Sequence, residues 1–225
     1  SLNDKSSIDL KPEDESNRLF IQLYDYASSQ IPLENKNVLE VGSGRGGGAS
    51  FIARYYHPKS MTGLDYSRSA IELSNKIHNN VSNLKFVKGD AENLPFDDNT
   101  FDAVINVESS HCYGNMKSFL NEVSRVLKKG GHFSWVDLRG KDLIKDTESA
   151  FNGLDFKCIH KQAITPEVLE GLNGIHEKKM EMIKLHVPKL LQPAFKDFAG
   201  VKNSKIYNAF NDGNAVYLAK AFQKS

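Results

Sequence analysis

Small and acidic residues that could bind a nucleotide follow two consecutive apolar segments of the chain. Gly42 and Gly44 come directly after segment 37–41, and glycine lets a backbone approach a ligand closely, so amides of this loop can contact a nucleotide-type group. Asp65 ends the next apolar segment, where its carboxylate can accept hydrogen bonds from both hydroxyls of a ribose. A glycine turn that serves only strand-to-helix packing is the alternative interpretation. Together these residues predict a site for an adenosine-containing cofactor, either a dinucleotide or S-adenosylmethionine.

The residues that follow the third apolar segment favour S-adenosylmethionine. After segment 84–87 come Gly89, Asp90 and Ala91, where Asp90 can accept a hydrogen bond from an adenine amino group while the backbone near Ala91 meets the ring nitrogens. A dinucleotide has no particular need of such residues. Glu40 lies inside the first apolar segment, where a carboxylate is costly unless it binds loop amides or a cationic ligand such as a sulfonium. A strand-edge carboxylate that faces water is the alternative for Glu40.

Alternating strand and helix patterns position these residues. Short apolar runs separated by helical patterns imply right-handed crossovers and a parallel sheet covered on both faces. The loops that follow the strands then meet at one edge of the sheet, where ligands bind. Strands are predicted at 37–41, 61–65, 84–87, 101–107 and 132–136, and helices at 18–30, 49–56, 67–77 and 119–127.

The alternation ends after residue 137, and a helical insertion is predicted before the last strand. We expect residues 165–211 to form this insertion on the substrate side of the sheet. Thr165 and Pro166 are a good N-cap and first-turn pair for a helix that extends to His186. The remaining elements predicted in this half are strands at 156–164 and 214–222 and a short helix at 189–198.

Length and composition indicate one domain that acts on a small molecule. A chain of 225 residues with 40% hydrophobic content can bury one continuous core, with residues 17–140 as the cofactor-binding core and residues 1–16 as a mobile segment. A formal net charge of +1 creates no global field that would attract nucleic acid or an anionic membrane. The two cysteines form no C-x-x-C pair and no apolar run could cross a bilayer, so we expect a cytoplasmic protein without a metal site or a membrane span.

The motifs of this chain, taken as a set, resemble those of class I S-adenosylmethionine methyltransferases. The resemblance rests on the order and spacing of VLEVGSGRGGG at 38–48, GLD at 63–65, GDAENLPF at 89–96 and LKKGG at 127–131. More narrowly, residues from about 18 to 140 resemble the phthiotriol/phenolphthiotriol dimycocerosates methyltransferases, which O-methylate a lipid hydroxyl. The stretches that carry this second resemblance lie at 23–25, 46–50, 57–58, 107–113 and 137–139.

This resemblance implies both a fold and a cofactor site. The fold is a Rossmann-like class I methyltransferase sandwich of the α/β class, with a mostly parallel seven-stranded sheet, helices on both faces and a helical insertion before the last strand. The cofactor is S-adenosylmethionine and its product is S-adenosylhomocysteine. The implied cofactor-binding residues are Gly42 and Gly44 at the methionine part, Asp65 at the ribose, Tyr66 on an adenine face, Asp90 and Ala91 at the adenine edge, and the Asn106 backbone at the methionyl end, with Glu40, Ser43 and Gly89 completing the set.

His111 and Glu108 follow the fourth strand and are the predicted catalytic residues. They should lie at the carboxyl edge of the sheet, where ligands bind in such folds. A near-neutral imidazole suits the removal of a hydroxyl proton, so His111 is either a general base or a residue that packs or positions the cofactor. Glu108 orients His111 or holds the substrate, and interaction with a helix dipole is the alternative for it.

We therefore expect S-adenosylmethionine-dependent methyl transfer to a small-molecule acceptor by in-line displacement at the methyl carbon. O-methylation of a lipophilic or natural-product alcohol or phenol is favoured, and N- or C-methylation of a small metabolite is the alternative. An NAD-dependent oxidoreductase would use the same glycine loop and Asp65 but would leave Asp90 without a cofactor role. A cofactor-binding protein without turnover also stays open. Nucleic acid is not expected as a substrate, and a homodimer is compatible with the sequence.

Overall fold

A seven-stranded sheet forms the centre of the computed structural model, which describes residues 8–225. Its strands are β1 Asn37–Val41, β2 Ser60–Asp65, β3 Leu84–Lys88, β4 Phe101–Val107, β5 Leu127–Gly140, β6 Phe156–Ala163 and β7 Ala215–Lys224. They lie in the order β3-β2-β1-β4-β5-β7-β6. Strands β1 to β5 are parallel, whereas β7 pairs antiparallel with β5 and β6. The prediction of a mostly parallel seven-stranded sheet is confirmed.

Helices cover both faces of this sheet. Because successive side chains of a strand point to opposite faces, Val38 and Leu39 of β1 belong to different buried apolar clusters. The first three helices contribute buried residues to the Val38 cluster, and the next two contribute to the Leu39 cluster. The α-helices are α1 Arg18–Ser29, α2 Gly47–Tyr55, α3 Arg68–Ile77, α4 Met116–Val126, α5 Ile144–Asn152, α6 Thr165–Gly174, α7 His176–His186, α8 Gln192–Phe198 and α9 Lys205–Asn211.

The stretch that precedes α1 packs against the rest of the protein. Leu10 is buried, and the carboxylate of Asp14 pairs with the guanidinium of Arg54. The hydroxyl of Tyr55 donates a further hydrogen bond to Asp14, at 2.6 Å. This part of the segment predicted to be mobile at 1–16 is therefore held against α2, because its acidic residue meets a cation and a hydroxyl there. Residues 1–7 of that prediction lie outside the described residues.

The insertion between β6 and β7 contains α6, α7, α8 and α9. The single helix predicted from Thr165 to His186 is wrong, because Ile175 separates α6 from α7. Gly171 and Gly174 explain the break, since glycine is about 1 kcal/mol less favourable than alanine inside a helix. The helix predicted at 189–198 begins as a 3-10 turn at Lys189–Leu191 and continues as α8, and α9 was not predicted.

Strand β5 is longer than the predicted strand at 132–136. It pairs with β7 from His132 to Gly140, well beyond the end of its pairing with β4 at Val136. The additional length carries Asp137 and Arg139, both buried, to the edge of the sheet where the loop after β4 lies. Polar residues of the extended strand therefore become part of the region that the sequence marks for catalysis.

Candidate active site

The loop after β1 is bound to the end of β2. The amides of Gly42 and Ser43 donate to the carbonyl oxygen of Leu64, at 2.8 and 2.9 Å. Gly42 has φ +79°, and a Cβ atom at this position would lie 1.7 Å from Oγ of Ser109. A side chain at residue 42 would therefore displace the loop that follows β4, in addition to straining its own backbone.

The carboxylate of Asp65 fixes the same loop from the other side. Its two oxygens accept hydrogen bonds from the amides of Gly44 and Ser67, at 2.8 and 2.9 Å. An ionised carboxylate has about four lone-pair positions, so Asp65 retains the capacity to accept hydrogen bonds from a ligand. Asp65 thus ties the glycine loop to β2 and still presents acceptors to the space beside it.

A cavity, here called the polar cavity, opens at the carboxyl ends of β1, β2 and β4. It holds about 620 Å³, which is within the range of about 300–1,000 Å³ for typical small-molecule sites. Glu108, Ser109 and Tyr113 from the loop after β4 form one side. Six of the predicted cofactor-binding residues also line it, namely Gly42, Gly44, Asp65, Tyr66, Asp90 and Ala91.

Three further predicted residues lie behind this lining. The amide of Asn106 donates to the Val41 carbonyl oxygen at 2.8 Å and to the Tyr113 hydroxyl at 3.1 Å, so its side chain joins β1 to the loop after β4. The amide of Gly89 donates to the carbonyl oxygen of Asp65 at 3.0 Å. Ser43 is buried, and its hydroxyl has no hydrogen-bond partner among the described residues. These residues shape the polar cavity from behind.

Glu40 is fully buried within β1, also behind the glycine loop. The Tyr24 hydroxyl and the Ala49 amide face its carboxylate, although neither forms a hydrogen bond of ordinary geometry with it. Burial raises the pKa of Glu40 to about 7, and the two facing groups oppose this rise. The alternative of a carboxylate at a strand edge in water is therefore wrong, and Glu40 is a titratable group within the core near neutral pH.

A second cavity, here called the apolar cavity, lies among α1, α6 and α7. It holds about 180 Å³ and is partly open to solvent. Its walls are mainly apolar, with Leu19, Phe20 and Leu23 from α1 facing Val168 and Leu172 from α6. The polar residues in its lining are Gln22, Tyr24, Glu108, Glu167, Lys179 and Tyr217. The helical insertion therefore forms one wall of a mostly apolar compartment.

Glu108 lines both cavities. Its side chain is accessible to solvent within the cavities. Protein nevertheless surrounds the carboxyl group on most sides, and the resulting desolvation raises its pKa. The hydroxyl of Tyr217 faces the carboxylate and opposes that rise. Glu108 also has φ +49°, an uncommon conformation for a residue with a side chain. Such strained residues cluster at functional sites, where the surrounding structure holds them.

Asp137, rather than Glu108, orients His111. Nδ1 of the imidazole donates to Oδ1 of Asp137 at 2.7 Å, while the Ser110 hydroxyl and the His111 amide donate to Oδ2 at 2.6 and 2.9 Å. The guanidinium of Arg139 lies 3.1 Å from Oδ2. The orienting role predicted for Glu108 is therefore wrong, because the extended strand β5 supplies a carboxylate with direct contact to the ring.

The Asp137 contact changes the titration of both partners. Hydrogen bonding to Asp137 raises the pKa of His111, although partial burial acts in the opposite direction. Burial alone would raise the pKa of Asp137, but its hydrogen bond to His111 and the charge of Arg139 outweigh this effect and lower it. Nε2 of His111 makes no hydrogen bond to a described residue, and His111 is absent from the described lining of both cavities.

Sequence reasoning missed Asp137, Tyr24, Tyr217 and Lys179. Asp137 had a usable signal, since it is a carboxylate at the end of an apolar strand, as Asp65 is. Tyr217 and Lys179 had none, because their place in the apolar cavity depends on how the insertion folds back over the sheet. Tyr24 occurs in a helical stripe that is equally consistent with simple packing.

Comparison with known proteins identifies the family. The family described as "Methyltransferase domain" matches residues 39–135. The chain is 41% identical to the phthiotriol/phenolphthiotriol dimycocerosates methyltransferase of Mycobacterium tuberculosis, over 96% of this chain and 79% of that protein. The chain belongs to the phthiotriol/phenolphthiotriol dimycocerosates methyltransferase family. It is also 41% identical to a fatty-acid O-methyltransferase of Mycolicibacterium smegmatis, over 96% of this chain and 78% of that protein.

Solved methyltransferase structures share the fold of this family member. The geranyl diphosphate C-methyltransferase of Streptomyces coelicolor superposes with a TM-score of 0.70 at 14% identity, over 100% of this chain and 87% of that chain. That structure contains Mg²⁺, geranyl diphosphate and S-adenosyl-L-homocysteine. The predicted Rossmann-like class I fold is confirmed, and the family makes this protein an S-adenosylmethionine-dependent methyltransferase. Across residues 8–225, no helix has the length and apolar character that crossing a bilayer requires.

Proposed function

We propose that this methyltransferase O-methylates a hydroxyl group on a lipophilic acceptor, with the cofactor in the polar cavity and the acceptor in the apolar cavity. The observation that carries the proposal is that Glu108 lines both cavities. Methyl transfer requires the two substrates to meet in line, and the residue shared by two neighbouring cavities marks where they can meet. Relatives named for phthiotriol dimycocerosates and for fatty acids support a lipophilic acceptor.

The residues of the polar cavity fit S-adenosylmethionine. Apart from Gly44 and its two chain neighbours, no atom of the described residues lies within 4 Å of the position that a Cβ of Gly44 would occupy, so the loop backbone is open to a ligand there. In this proposal the glycine loop holds the methionine part and Asp65 holds the ribose. Tyr66, Asp90 and Ala91 surround the adenine. When bound, S-adenosylmethionine supplies a methyl group on a positively charged sulfur, and S-adenosylhomocysteine is the product.

The charges in the apolar cavity favour an uncharged hydroxyl over a carboxylate. Glu108 and Glu167 both line it, and Oε2 of Glu167 is buried without a hydrogen-bond partner among the described residues. The one lysine in the lining, Lys179, already donates to the carbonyl oxygen of Ala199 at 2.6 Å. A third carboxylate brought into a low-dielectric space beside these acids is disfavoured, whereas a hydroxyl can donate a hydrogen bond to one of them.

Two side chains then have separate tasks in the reaction. Glu108 lies where the two cavities meet, beside the acceptor oxygen, and its negative charge favours the imidazolium that forms on His111. His111 receives the hydroxyl proton at Nε2, while Asp137 holds the imidazole through Nδ1. A positioned base contributes about 10²–10⁴-fold to such a proton transfer. Asp137 contacts neither substrate in this scheme, so it is a positioning residue.

Calorimetric titration and an acceptor panel test the proposal. S-adenosylmethionine and S-adenosylhomocysteine should bind, NADH should not, and Asp65→Ala should weaken the binding of both. Transfer of a labelled methyl group is then measured to decanol, decanoate and decylamine, which share one chain length. Highest kcat/KM with decanol supports the proposal. Preference for decanoate or decylamine would show that the acceptor group is a carboxylate or an amine and not a hydroxyl. Binding of NADH alone would reject the cofactor assignment.

A further inference from the structure

The outer surface of the insertion carries a group of exposed apolar side chains. Leu190 is 91% exposed and Leu185 is 66% exposed, and three more large apolar residues are each about half exposed. These residues, here called the apolar docking surface, are Met182, Leu185, Leu190, Leu191 and Phe195. They lie within fourteen consecutive positions, from α7 through the 3-10 turn into α8. Single exposed apolar residues are ordinary, but so dense a group marks an interaction surface.

Helix α7 carries residues of this surface and also a residue that lines the apolar cavity. Three residues at four-residue spacing face the interior: Ile175, Lys179 and Ile183. Ile175 directly precedes α7, and it lines the apolar cavity together with Lys179. Ile183 is buried. Met182 and Leu185 are three residues apart and exposed, and on the helix they lie beside the cavity-facing residues. The docking surface therefore adjoins the part of α7 that lines the apolar cavity.

Lysines border the apolar docking surface. Lys178, Lys184, Lys189 and Lys196 line a groove between α7 and α8, where Glu177 and Glu181 are the acidic residues. Lys184, Lys189 and Lys196 form no ion pair with a described residue. Although the whole chain has a net charge of only +1, this surface therefore combines apolar side chains with an excess of uncompensated cations.

We infer that the apolar docking surface binds an anionic lipid surface, with the leucines entering the interface and the lysines contacting the headgroups. Interfacial protein segments combine apolar side chains with flanking lysines in this way. A symmetric contact between two copies of the chain would place the same lysines opposite one another, which like-charge repulsion disfavours. Binding of the apolar docking surface to a bilayer brings the apolar cavity close to the lipid. The inference does not depend on which atom of the acceptor is methylated.

Vesicle flotation with the full chain tests the inference. Vesicles of phosphatidylcholine alone are compared with vesicles made of phosphatidylcholine and phosphatidylglycerol in equal amounts. Lys184→Glu/Lys189→Glu should lower partition onto the anionic vesicles by at least about 25-fold, because each basic residue near such a surface contributes roughly fivefold. Leu185→Ser/Leu190→Ser should lower it by about tenfold or more. Matched controls are Lys129→Glu and Ile77→Ser, which change an exposed lysine and an exposed apolar residue elsewhere.

The outcomes separate this inference from the proposed function. Strong binding to anionic vesicles that falls in both insertion variants and persists in both controls supports it. Equal binding of all variants, or no binding to either vesicle, overturns it. Sedimentation velocity shows whether Leu185→Ser/Leu190→Ser converts a dimer to a monomer. Such a change without vesicle binding would mean that the surface binds a second copy of the chain and not a lipid surface. Calorimetric binding of S-adenosylmethionine is measured in parallel without lipid and should stay unchanged, so loss of the cofactor site would be recognised separately.

Discussion

Nδ1 of His111 lies 2.7 Å from Oδ1 of Asp137, a carboxylate that is completely buried at the end of β5. Asp137 also accepts hydrogen bonds from the Ser110 hydroxyl and the His111 amide. One carboxylate thereby holds both the backbone and the ring of His111 in the loop after β4. Because this arrangement fixes the Nδ1 proton, the proposed proton acceptor is Nε2, and the protonation state of the imidazole should govern the pH dependence of turnover.

Turnover should fall on the acid side as His111 becomes protonated. Since Asp137 raises the pKa of His111, the wild-type acid limb of kcat should lie above pH 6.5, the ordinary value for histidine. Asp137→Asn removes the charge that favours the imidazolium, so this limb should move to lower pH while the maximal rate falls by about 100-fold. The measurement is a pH profile of kcat at saturating cofactor and acceptor. An unchanged acid limb in a folded variant would remove His111 from the mechanism.

Removal of the Asp137 charge should also lower stability. Arg139 is buried beside this carboxylate, and a buried charge that loses its partner typically destabilises a protein by about 3–5 kcal/mol. Urea unfolding of Asp137→Asn measures this loss. His111→Gln is the comparison, because it keeps the Asp137–Arg139 pair and removes the base. It should reduce kcat by about 100-fold with a much smaller change in unfolding free energy.

Glu108→Gln should alter the choice of acceptor without altering cofactor affinity. The amide keeps the size of the side chain but removes the negative charge. We therefore expect kcat/KM for decanol to fall by about tenfold, and the ratio of decanol turnover to decanoate turnover to fall as well. The calorimetric Kd for S-adenosylhomocysteine should change by less than about threefold. Glu92→Gln is the matched control, because Glu92 lines only the polar cavity of the two. An equal effect of both variants on acceptor choice would contradict the role of Glu108.

Gly42→Ala should weaken cofactor binding through a steric conflict with Ser109. The new Cβ would lie 1.7 Å from Oγ of Ser109, and its φ of +79° adds about 1 kcal/mol of backbone strain. We expect affinity for S-adenosylhomocysteine to fall by about tenfold or more. Ser109→Gly in the same chain removes the contact with Ser109 but leaves the Tyr113 hydroxyl 2.8 Å from the new Cβ, so it should restore affinity in part. Gly130→Ala is the control for strain alone, because Gly130 has φ +75° and lines neither cavity.

Local signals in the sequence were sufficient to predict the polar cavity. Glycine after β1, Asp65 after β2 and Asp90 after β3 each follow a short apolar strand, and parallel strands bring such positions to one edge. Helix propensity was a weaker guide to the insertion, where two glycines and contacts with α1 divide one predicted helix into α6 and α7.

The pairing of His111 with Asp137 could not be read from the sequence, because it depends on how far β5 extends. Pairing with the antiparallel strand β7 continues β5 to Gly140 and thereby holds Asp137 beside the loop after β4. The order that places β7 between β5 and β6 is a tertiary property and is not encoded in the pattern of either strand. The site of Glu108 between two cavities has the same origin, since α6 and α7 form the second cavity.

Glu40 should make stability decrease as pH rises. Its pKa is raised in the folded state from 4.5 to about 7. Between these pH values the folded protein holds a proton that the unfolded chain has released. The free energy of unfolding therefore falls by up to about 3 kcal/mol as the pH rises through this range. Glu40→Gln cannot titrate and should lose this component when urea unfolding is measured from about pH 5 to about pH 8. Tyr24→Phe is the directional control. The Tyr24 hydroxyl lowers the pKa of Glu40, so its removal should extend the decline to higher pH. Identical pH profiles for wild type and Glu40→Gln would show that Glu40 is ionised throughout this range.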